Sequence, residues 1–451
     1  MNDIIVAIST ALGKGAISII RLSGNGCIEL VNKCFYGKDL TKVDSHTINF
    51  GYIVEDDIKI DQVLVSVMRA PKTYTKEDVV EINCHGGIAS TNKILEIMVL
   101  NGARLASKGE FTKRAFLNGR IDLVEAEAVM DIVNSKTDRA REQSMKQLEG
   151  RLTGVIRNFR QQLLVLLANV EVNIDYPEYE DIEEVTISDI KSRVASMRKS
   201  IESIIRESET RKIIKEGINL AIVGRPNVGK SSILNCLLGE NKAIVTDIAG
   251  TTRDVVEGSI TLNGIELNII DTAGIRDTDD VVEKFGVLKS IDEISKADLV
   301  LLVLNNNERL TEDDHKLIDI IGNKKYITVV NKKDLDSKIS GDLSNLKNVV
   351  YTDTVSINGI ESLKNKVIEL FNLEEIENSD VEILTNTRQI TLAKECLPIL
   401  NDVENGIDNN VPVDLVAIDI KRIWSKLGEI LGENYSDELI DQLFSQFCLG
   451  K

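Results

Sequence analysis

The feature that most constrains this chain is GRPNVGKS at residues 224–231. It follows a mostly apolar run, INLAIV at 218–223, and precedes the apolar-patterned segment SILNCLLG at 232–239. The glycines allow backbone N–H groups to surround a phosphate, and the lysine adds a positive charge. A strand, this loop and a helix in that order predict a nucleotide-binding P-loop in a doubly wound α/β sheet.

Further motifs follow the P-loop in the order typical of GTPases, namely GTTRD at 250–254, DTAG at 271–274 and NKKD at 331–334. The Ser231 hydroxyl can bind Mg²⁺, and Thr251 or Thr252 can complete the coordination of the metal. Asp271 lies near that metal at a strand end. The backbone N–H of Gly274 can meet a γ-phosphate.

The NKKD motif indicates which base is bound. Asn331 can bond the N7/O6 edge of a purine, and the Asp334 carboxylate can accept hydrogen bonds from guanine N1 and N2. Adenine lacks this pair of donors, so the base is guanine. VSI at 355–357 is a candidate loop behind the base. We therefore predict that GTP is bound by Asn227, Val228, Gly229, Lys230, Ser231, Ser232, Thr246, Asp247, Ile248, Ala249, Gly250, Thr251, Thr252, Asp271, Thr272, Ala273, Gly274, Asn331, Lys332, Lys333 and Asp334.

Ile275 follows Gly274, at the place where Ras-like GTPases carry a glutamine that orients the attacking water. The charge that develops during hydrolysis then needs another partner, either an arginine finger from a second protein or a monovalent cation. Asn227 offers a side-chain carbonyl and the loop 246–252 offers backbone carbonyls, which together can hold K⁺. Lys230 supplies a fixed positive charge in both cases.

Periodicity divides the chain into four segments. Residues 1–118 mix short apolar strands with helical stretches and predict an α+β domain. Residues 119–215 and 376–451 show helical spacing, whereas 216–375 alternate strands and helices as a G domain does. We therefore expect the G domain to interrupt a discontinuous helical domain, with the second helical half packed on the first.

Charge and cysteine content limit the partners. The net charge of −18 argues against a broad nucleic-acid surface. A solvated helix face is the preferred interpretation of the basic residues between 136 and 160, and a local phosphate-binding patch is the alternative. Six cysteines without a CxxC pair favour a reducing compartment. Without a secretory leader or an apolar run of about 20 residues, we expect a cytoplasmic protein that does not enter a membrane.

Several stretches resemble the MnmE (TrmE) family of tRNA-modification GTPases. In the G domain these are PNVGKSS, AIVTDIAGTTRD and DTAGIRD. Outside it they are YTKEDVVEINCHGG at 74–87, GEFTKRAFLNGRIDLVEAEAVMDIV at 109–133 and FCLGK at 447–451. The latter are the specific ones, because many GTPases share the phosphate motifs. The resemblance covers essentially the whole chain, with Lys108, Leu449 and Ile357 as departures from the usual family residues.

The resemblance implies a K⁺-stimulated GTPase whose G domains dimerise across the nucleotides. Its K⁺ positions fall on Asn227, Thr246, Ile248 and Thr251, and its Mg²⁺ positions fall on Ser231 and Thr252. Glu283 matches the acidic residue that helps to orient the attacking water in place of the glutamine. From the residues alone, Glu283 is an ordinary helix-surface carboxylate.

The N-terminal segment resembles the family's folate-binding domain, which also forms a constitutive homodimer. Arg21, Glu81, Arg120 and Lys451 match its positions for 5-formyl- or methylene-tetrahydrofolate. This is chemically sensible, because arginine pairs with anions and glutamate accepts from the N–H groups of a pterin. Cys448 matches the family's terminal cysteine and is a candidate nucleophile or thiol, although a cysteine near a chain end is as readily a spectator.

The function implied by the resemblance is tRNA modification. Together with a flavin-dependent MnmG-type partner, the chain would install a carboxymethylaminomethyl or aminomethyl group at C5 of the wobble uridine, with a folate one-carbon unit as the source of the bridging carbon. Two alternatives stay open. One is a ribosome-assembly switch of the Era or EngA type, and the other is a folate-dependent one-carbon enzyme in which the G domain only regulates.

Overall fold

The structure is a computed structural model. It describes residues 3–175, 180–240, 258–270, 292–339, 343–344, 346–356, 358–371 and 382–450. The chain divides into two units. Unit 1 comprises Met1–Asn134, Ser144–Ile201 and Thr391–Lys451, and unit 2 comprises Ser135–Gln143 and Glu202–Ile390.

Unit 1 contains a seven-stranded sheet within the described residues. Its strands are β1 (Ile5–Ile8), β2 (Ile17–Ser23), β3 (Phe35–Gly37), β4 (Thr47–Glu55), β5 (Ile58–Met68), β6 (Val79–His85) and β7 (Arg104–Leu105). They lie in the order β3-β4-β5-β6-β2-β1-β7. Every neighbouring pair is antiparallel except β1 and β7, which are parallel. These strands, with helices between them, confirm the α+β class predicted for the N-terminal segment.

Alternation along β2 and β6 decides which side chains face the core of this sheet. Ile20 and Leu22 are fully buried, as is Ile82 on β6. Successive side chains of a strand point to opposite faces. Arg21, between two buried residues of β2, therefore lies on the other face, where the register places it directly opposite Glu81.

The helices are α1 (Cys27–Lys33), α2 (Ile88–Leu100), α3 (Glu110–Leu117), α4 (Leu123–Asn134), α5 (Asp138–Leu148), α6 (Arg151–Asp175), α7 (Glu180–Glu216), α8 (Lys230–Glu240), α9 (Glu312–Ile321), α10 (Glu361–Leu370), α11 (Thr387–Asp408), α12 (Val413–Leu431) and α13 (Asp437–Phe444). In unit 1, α6 packs along α12. The guanidinium of Arg160 on α6 lies 4.1 Å from the ring centroid of Trp424 on α12. Among the described residues, none of the helices has both the length and the apolar character required to span a membrane.

Unit 2 contains a six-stranded sheet within the described residues. Its strands are β8 (Ile218–Val223), β9 (Ser259–Leu262), β10 (Ile265–Ile269), β11 (Leu299–Asn305), β12 (Tyr326–Asn331) and β13 (Val349–Tyr351). The order is β13-β12-β11-β8-β10-β9, and all pairs are parallel except β9 with β10. This confirms the predicted doubly wound sheet.

The apolar run at residues 220–223 of β8 reflects burial on both faces. Leu220 and Ile222 belong to one core cluster, whereas Ala221 and Val223 belong to another. A strand covered by apolar residues on both sides has no solvent-facing position for a polar residue. Because β8, β11 and β12 are parallel, their carboxyl ends meet at one edge, where ligands of such sheets bind.

Candidate functional site

The P-loop connects the end of β8 to the start of α8. Asn227 and Gly229 both adopt left-handed backbone conformations, with φ of 64° and 101°. A Cβ at Gly229 would overlap the side-chain amide of Asn331. The backbone thus takes a path that ordinary side chains resist, and it brings the loop to the amino-terminal end of α8, where the helix dipole favours a phosphate.

Lys230, the P-loop lysine, folds back over its own loop. Its Nζ donates hydrogen bonds of 2.8 Å to the carbonyl oxygens of Gly224 and Arg225. Burial lowers the pKa of the Lys230 ammonium, and the nearby carboxylate of Glu293 offsets part of this effect. The charge is therefore held at the loop, where a phosphate can compensate its loss of hydration. Ser231 and Ser232 follow it in the first turn of α8.

Arg225 fastens the P-loop to the first turn of α9 and to the loop that precedes this helix. Its Nε donates to Asp314 at 3.0 Å and its Nη2 donates to Glu308 at 2.9 Å. Asp314 is fully buried and also caps α9, because its carboxylate accepts from the N–H and hydroxyl of Thr311. We did not predict a role for Arg225, since the motif leaves this position variable.

Asn331 and Lys332, at the end of β12, both contact P-loop carbonyls. The Nδ2 of Asn331 donates to Val228 at 3.1 Å, and the Nζ of Lys332 donates to Asn227 at 2.9 Å. The hydroxyl of Thr352 donates to the Oδ1 of Asn331 at 3.3 Å. Asn331 is 1% exposed. It therefore ties the base loop to the phosphate loop, a role beyond the base contact that we predicted from the motif.

Lys333 and Asp334 lie in the turn that follows. The backbone N–H of Lys333 donates to Thr352 at 3.0 Å. The side chain of Asp334 is exposed, so its carboxylate can reach a base. In the candidate loop behind the base, the backbone N–H of Ser356 donates to Asp353 at 2.7 Å, and Val355 is 82% exposed.

The structure brings the P-loop and NKKD motifs together. The other predicted GTP, K⁺ and Mg²⁺ residues lie outside the described residues, as do one predicted catalytic residue and one folate residue. They are Thr246, Asp247, Ile248, Ala249, Gly250, Thr251, Thr252, Asp271, Thr272, Ala273, Gly274, Glu283 and Lys451.

A second candidate site lies in unit 1. A cavity of about 200 Å³ is lined by Arg21, Met68, Tyr74, Val79, Glu81 and Val129. The guanidinium of Arg21 pairs with the Glu81 carboxylate at 2.8 Å. The cavity thus offers a cation and an anion side by side on an apolar floor, which suits a ligand with both donor and acceptor edges.

Arg120 lies beside this cavity. Its guanidinium is 5.7 Å from the ring centroid of Tyr74, and its Nη1 donates to the carbonyl of Thr73 at 3.0 Å. The hydroxyl of Tyr74 is 2.9 Å from that of Thr112, and burial raises the pKa of Tyr74, which keeps the phenol neutral. Two of the predicted folate residues therefore meet, and the third flanks them. Sequence reasoning missed Tyr74, whose only signal was an aromatic residue in a family-like motif.

The last described residues of the chain lie beside this cavity. The carbonyl of Gly450 accepts from Arg21 and from Ser9, both at 3.2 Å. The carbonyl of Cys448 accepts from the backbone N–H of Gly109 at 3.1 Å. Gly450 has a φ of 85°, and a Cβ there would overlap the carbonyl of Ile8. The tail is thus fastened by its backbone, and the Cys448 side chain is exposed.

The basic residues between 136 and 160 are largely paired with carboxylates. Five of them lie within 4 Å of a carboxylate oxygen, in the pairs Lys136–Glu266, Arg141–Asp138, Arg151–Glu149, Arg157–Asp122 and Arg160–Glu433. These pairs agree with the interpretation of the basic residues as part of a helix surface rather than as a dedicated phosphate-binding patch.

Comparison with known proteins extends the likeness over the whole chain. A family model described as GTP-binding protein TrmE N-terminus matches residues 4–120, and one described as MnmE helical domain matches 123–448. The tRNA modification GTPase MnmE of Bacillus cytotoxicus is 52% identical over 455 residues, covering 100% of this chain and 99% of that protein. Its counterpart in Bacillus subtilis is 50% identical over 458 residues, with complete coverage of both chains.

Among solved structures, the G domain of the T. maritima FeoB iron transporter is 30% identical, with a TM-score of 0.26, and covers 34% of this chain and 98% of that chain. The family models match outside the G domain as well, which distinguishes this chain from GTPases that share only the P-loop domain. It is a GTP hydrolase, and it belongs to the MnmE family of tRNA modification GTPases.

Proposed function

We propose that this chain is a K⁺-stimulated GTPase that acts with a flavin-dependent MnmG-type partner. Together they would install a carboxymethylaminomethyl or aminomethyl group at C5 of the wobble uridine in certain tRNAs. The K⁺ assignment is carried by the backbone conformation of Asn227 and by its exposed side chain. Its backbone is left-handed and its carbonyl accepts from Lys332, whereas its exposed side chain makes no hydrogen bond within the described part of the chain.

The donor set fits the two cations. Side-chain oxygens of Asn227 and Thr251, with the backbone carbonyls of Thr246 and Ile248, are the oxygen ligands that K⁺ takes. Hydroxyl oxygens of Ser231 and Thr252 suit Mg²⁺, which prefers hard oxygen donors. A cation beside the β- and γ-phosphates neutralises charge that develops during hydrolysis.

Phosphate binding, orientation of the attacking water and the modification step are assigned to three side chains of this chain. Lys230 pairs with the phosphates. Glu283 orients the attacking water, the task that Ile275 cannot perform. Cys448 takes part in the modification step as a nucleophile or thiol.

The cavity in unit 1 supports folate binding. Glu81 would accept from the pterin N–H groups, while Arg21, Arg120 and Lys451 would hold anionic groups of 5-formyl- or methylene-tetrahydrofolate. The four segments would divide the work. Residues 1–118 bind folate and form the homodimer, 216–375 hydrolyse GTP, and the helical segments 119–215 and 376–451 connect them.

The net charge of −18 suggests that a more basic partner makes most of the contact with tRNA. The tRNA substrate and the six free cysteines favour the cytoplasm. Weak salt dependence of tRNA binding by the isolated chain would support a tRNA contact made mostly by the partner. A steep dependence would count against it.

The K⁺ proposal is tested by the GTP hydrolysis rate in matched K⁺ and Na⁺ buffers for the wild type, Asn227→Ala and Glu283→Ala. We expect strong stimulation by K⁺ that is lost in Asn227→Ala. Glu283→Ala should slow turnover without weakening GTP binding. Equal wild-type rates in the two salts would overturn the proposal and point to a charge supplied by an external activator.

A further inference from the structure

The loop that carries Asp334 is held from behind by Asn306. Asn306 directly follows β11 and is 3% exposed. Its backbone N–H donates to the carbonyl of Asn331 at 2.9 Å, and its carbonyl accepts from the N–H of Lys338 at 2.9 Å. Its side-chain Nδ2 donates to the carbonyl of Leu335 at 2.9 Å. One buried residue therefore contacts the beginning, middle and end of the 331–338 loop.

The contact with Leu335 fixes the turn that presents Asp334. The N–H of Leu335 donates to the carbonyl of Lys332 at 3.0 Å, which closes a turn over residues 332–335. Lys332 begins the turn with a left-handed φ of 63° and is anchored to Asn227 in the P-loop. Asn306 anchors the opposite end. The backbone of Asp334 is thus fixed on both sides, although its carboxylate is exposed.

The chemistry of the bond sets the orientation of the Asn306 amide. The carbonyl of Leu335 only accepts, so the amide must turn its Nδ2 toward it. The Oδ1 is then buried and makes no hydrogen bond within the described residues. A buried acceptor of this kind disfavours the fold, and a leucine of similar size would avoid it. Packing therefore does not explain an amide at this position, whereas the bond to Leu335 does.

We propose that Asn306 is a positioning residue for guanine selection, acting through Leu335 to hold the Asp334 carboxylate in the plane of the base. This inference rests on the proposed recognition of guanine by Asp334. A carboxylate that accepts from both N1–H and the 2-amino group needs a fixed orientation, because two parallel hydrogen bonds tolerate little rotation. Inosine offers only N1–H, so its single bond survives a looser turn.

The test compares the equilibrium affinities of the full chain for GTP and inosine triphosphate. In Asn306→Leu the amide donor is gone and the volume is kept. We expect the affinity for GTP to fall about tenfold and that for inosine triphosphate about twofold or less, so the preference for GTP shrinks. The KM for GTP should rise more than kcat falls, because the lost side-chain bond goes to Leu335, whereas the contact of Asn331 with the P-loop is kept.

Four further variants make the outcome decisive. Asn307→Leu is the matched control, since the Asn307 side chain makes no hydrogen bond in the described part of the structure, and it should leave both affinities unchanged. Asn306→Asp removes the same donor and replaces the leucine variant if that one does not fold. In an Asp334→Ala background, Asn306→Leu should cause no further loss of preference.

Equal losses of affinity for both nucleotides in Asn306→Leu would show a purely structural role and overturn the inference. If Asp334→Ala itself retained the preference for GTP, the proposed recognition of guanine by Asp334 would fail instead. The two failures are therefore distinguishable by the single variants.

Discussion

The side-chain amide of Asn331 donates a 3.1 Å hydrogen bond to the carbonyl of Val228, which lies 103 residues earlier in the chain. The hydroxyl of Thr352 supports the same amide from the other side at 3.3 Å. The motif that is placed to read the base therefore also holds the loop that is placed to bind the phosphates. Damage to one half of the nucleotide site should consequently be felt in the other.

Replacing Asn331 with leucine should weaken GTP binding at least about tenfold, because a buried carbonyl loses its donor and the P-loop loses its support. The same change should destabilise unit 2 by roughly 1–3 kcal/mol. Equilibrium binding of GTP measures the first effect. Thr352→Val is the control, since it removes only the weaker 3.3 Å contact and should cost about threefold or less. Equal losses in the two variants would contradict the central role of Asn331.

Gly229→Ala should abolish measurable GTP binding. The left-handed φ of 101° disfavours any side chain, and the new methyl group would collide with the Asn331 amide. Trp424 is the sole tryptophan and lies in unit 1, so its fluorescence should be unchanged by this substitution. Gly154→Ala is the matched control. Its Cβ meets nothing within 4 Å in α6, and it should stabilise unit 1 by about 0.5–1 kcal/mol. Normal GTP binding by Gly229→Ala would show that the loop tolerates a different path.

Local patterns in the sequence predicted much of the fold. The apolar run of β8, followed by the P-loop and a helix, predicted a covered parallel sheet, because burial on both faces leaves little polar alternation. The P-loop could be located because its glycines and lysine are close together in the chain. Short apolar stretches mixed with helical ones in residues 1–118 predicted an α+β segment there.

Contacts between distant residues could not be predicted in this way. The Arg225–Asp314 and Asn306–Leu335 contacts join positions that share no periodicity. Arg21 meets Glu81 only because the register of β2 and β6 sets them opposite one another, and register depends on the whole sheet. The contact between Gly450 and Arg21 spans 429 residues, and only the resemblance to a family pointed to it.

Arg21→Ala should reduce the affinity for 5-formyl-tetrahydrofolate about tenfold or more, because the cavity loses its cation and Glu81 loses its partner. Gly450→Ala should weaken binding as well, since the tail cannot keep its path beside Ile8. Isothermal titration calorimetry measures both. Lys59→Ala removes a cation that stacks on Tyr52 at 4.1 Å, away from the cavity lining, and serves as the control. Unchanged folate affinity in Arg21→Ala would exclude this cavity as the folate site.

Glu110 should make the stability of unit 1 dependent on acid pH. Burial alone would raise the pKa of Glu110, but hydrogen bonds from Arg104 and Ser107 outweigh it and hold the pKa at about 2. Because this is below the ordinary carboxyl value, the resulting stabilisation is complete above about pH 4.5 and is lost as the pH falls toward 2. Glu110→Gln should therefore lower the free energy of unfolding by roughly 1–3 kcal/mol at pH 7 and by much less near pH 2. Urea unfolding followed by Trp424 fluorescence measures this.

Asp39 is the control, because hydrogen bonds from Lys42 and Thr41 hold its pKa at about 2 as well. Its side chain is exposed to solvent, however, and this weakens the interaction. A shift in the unfolding midpoint as large in Asp39→Asn as in Glu110→Gln would show that burial of the Glu110 pair adds nothing.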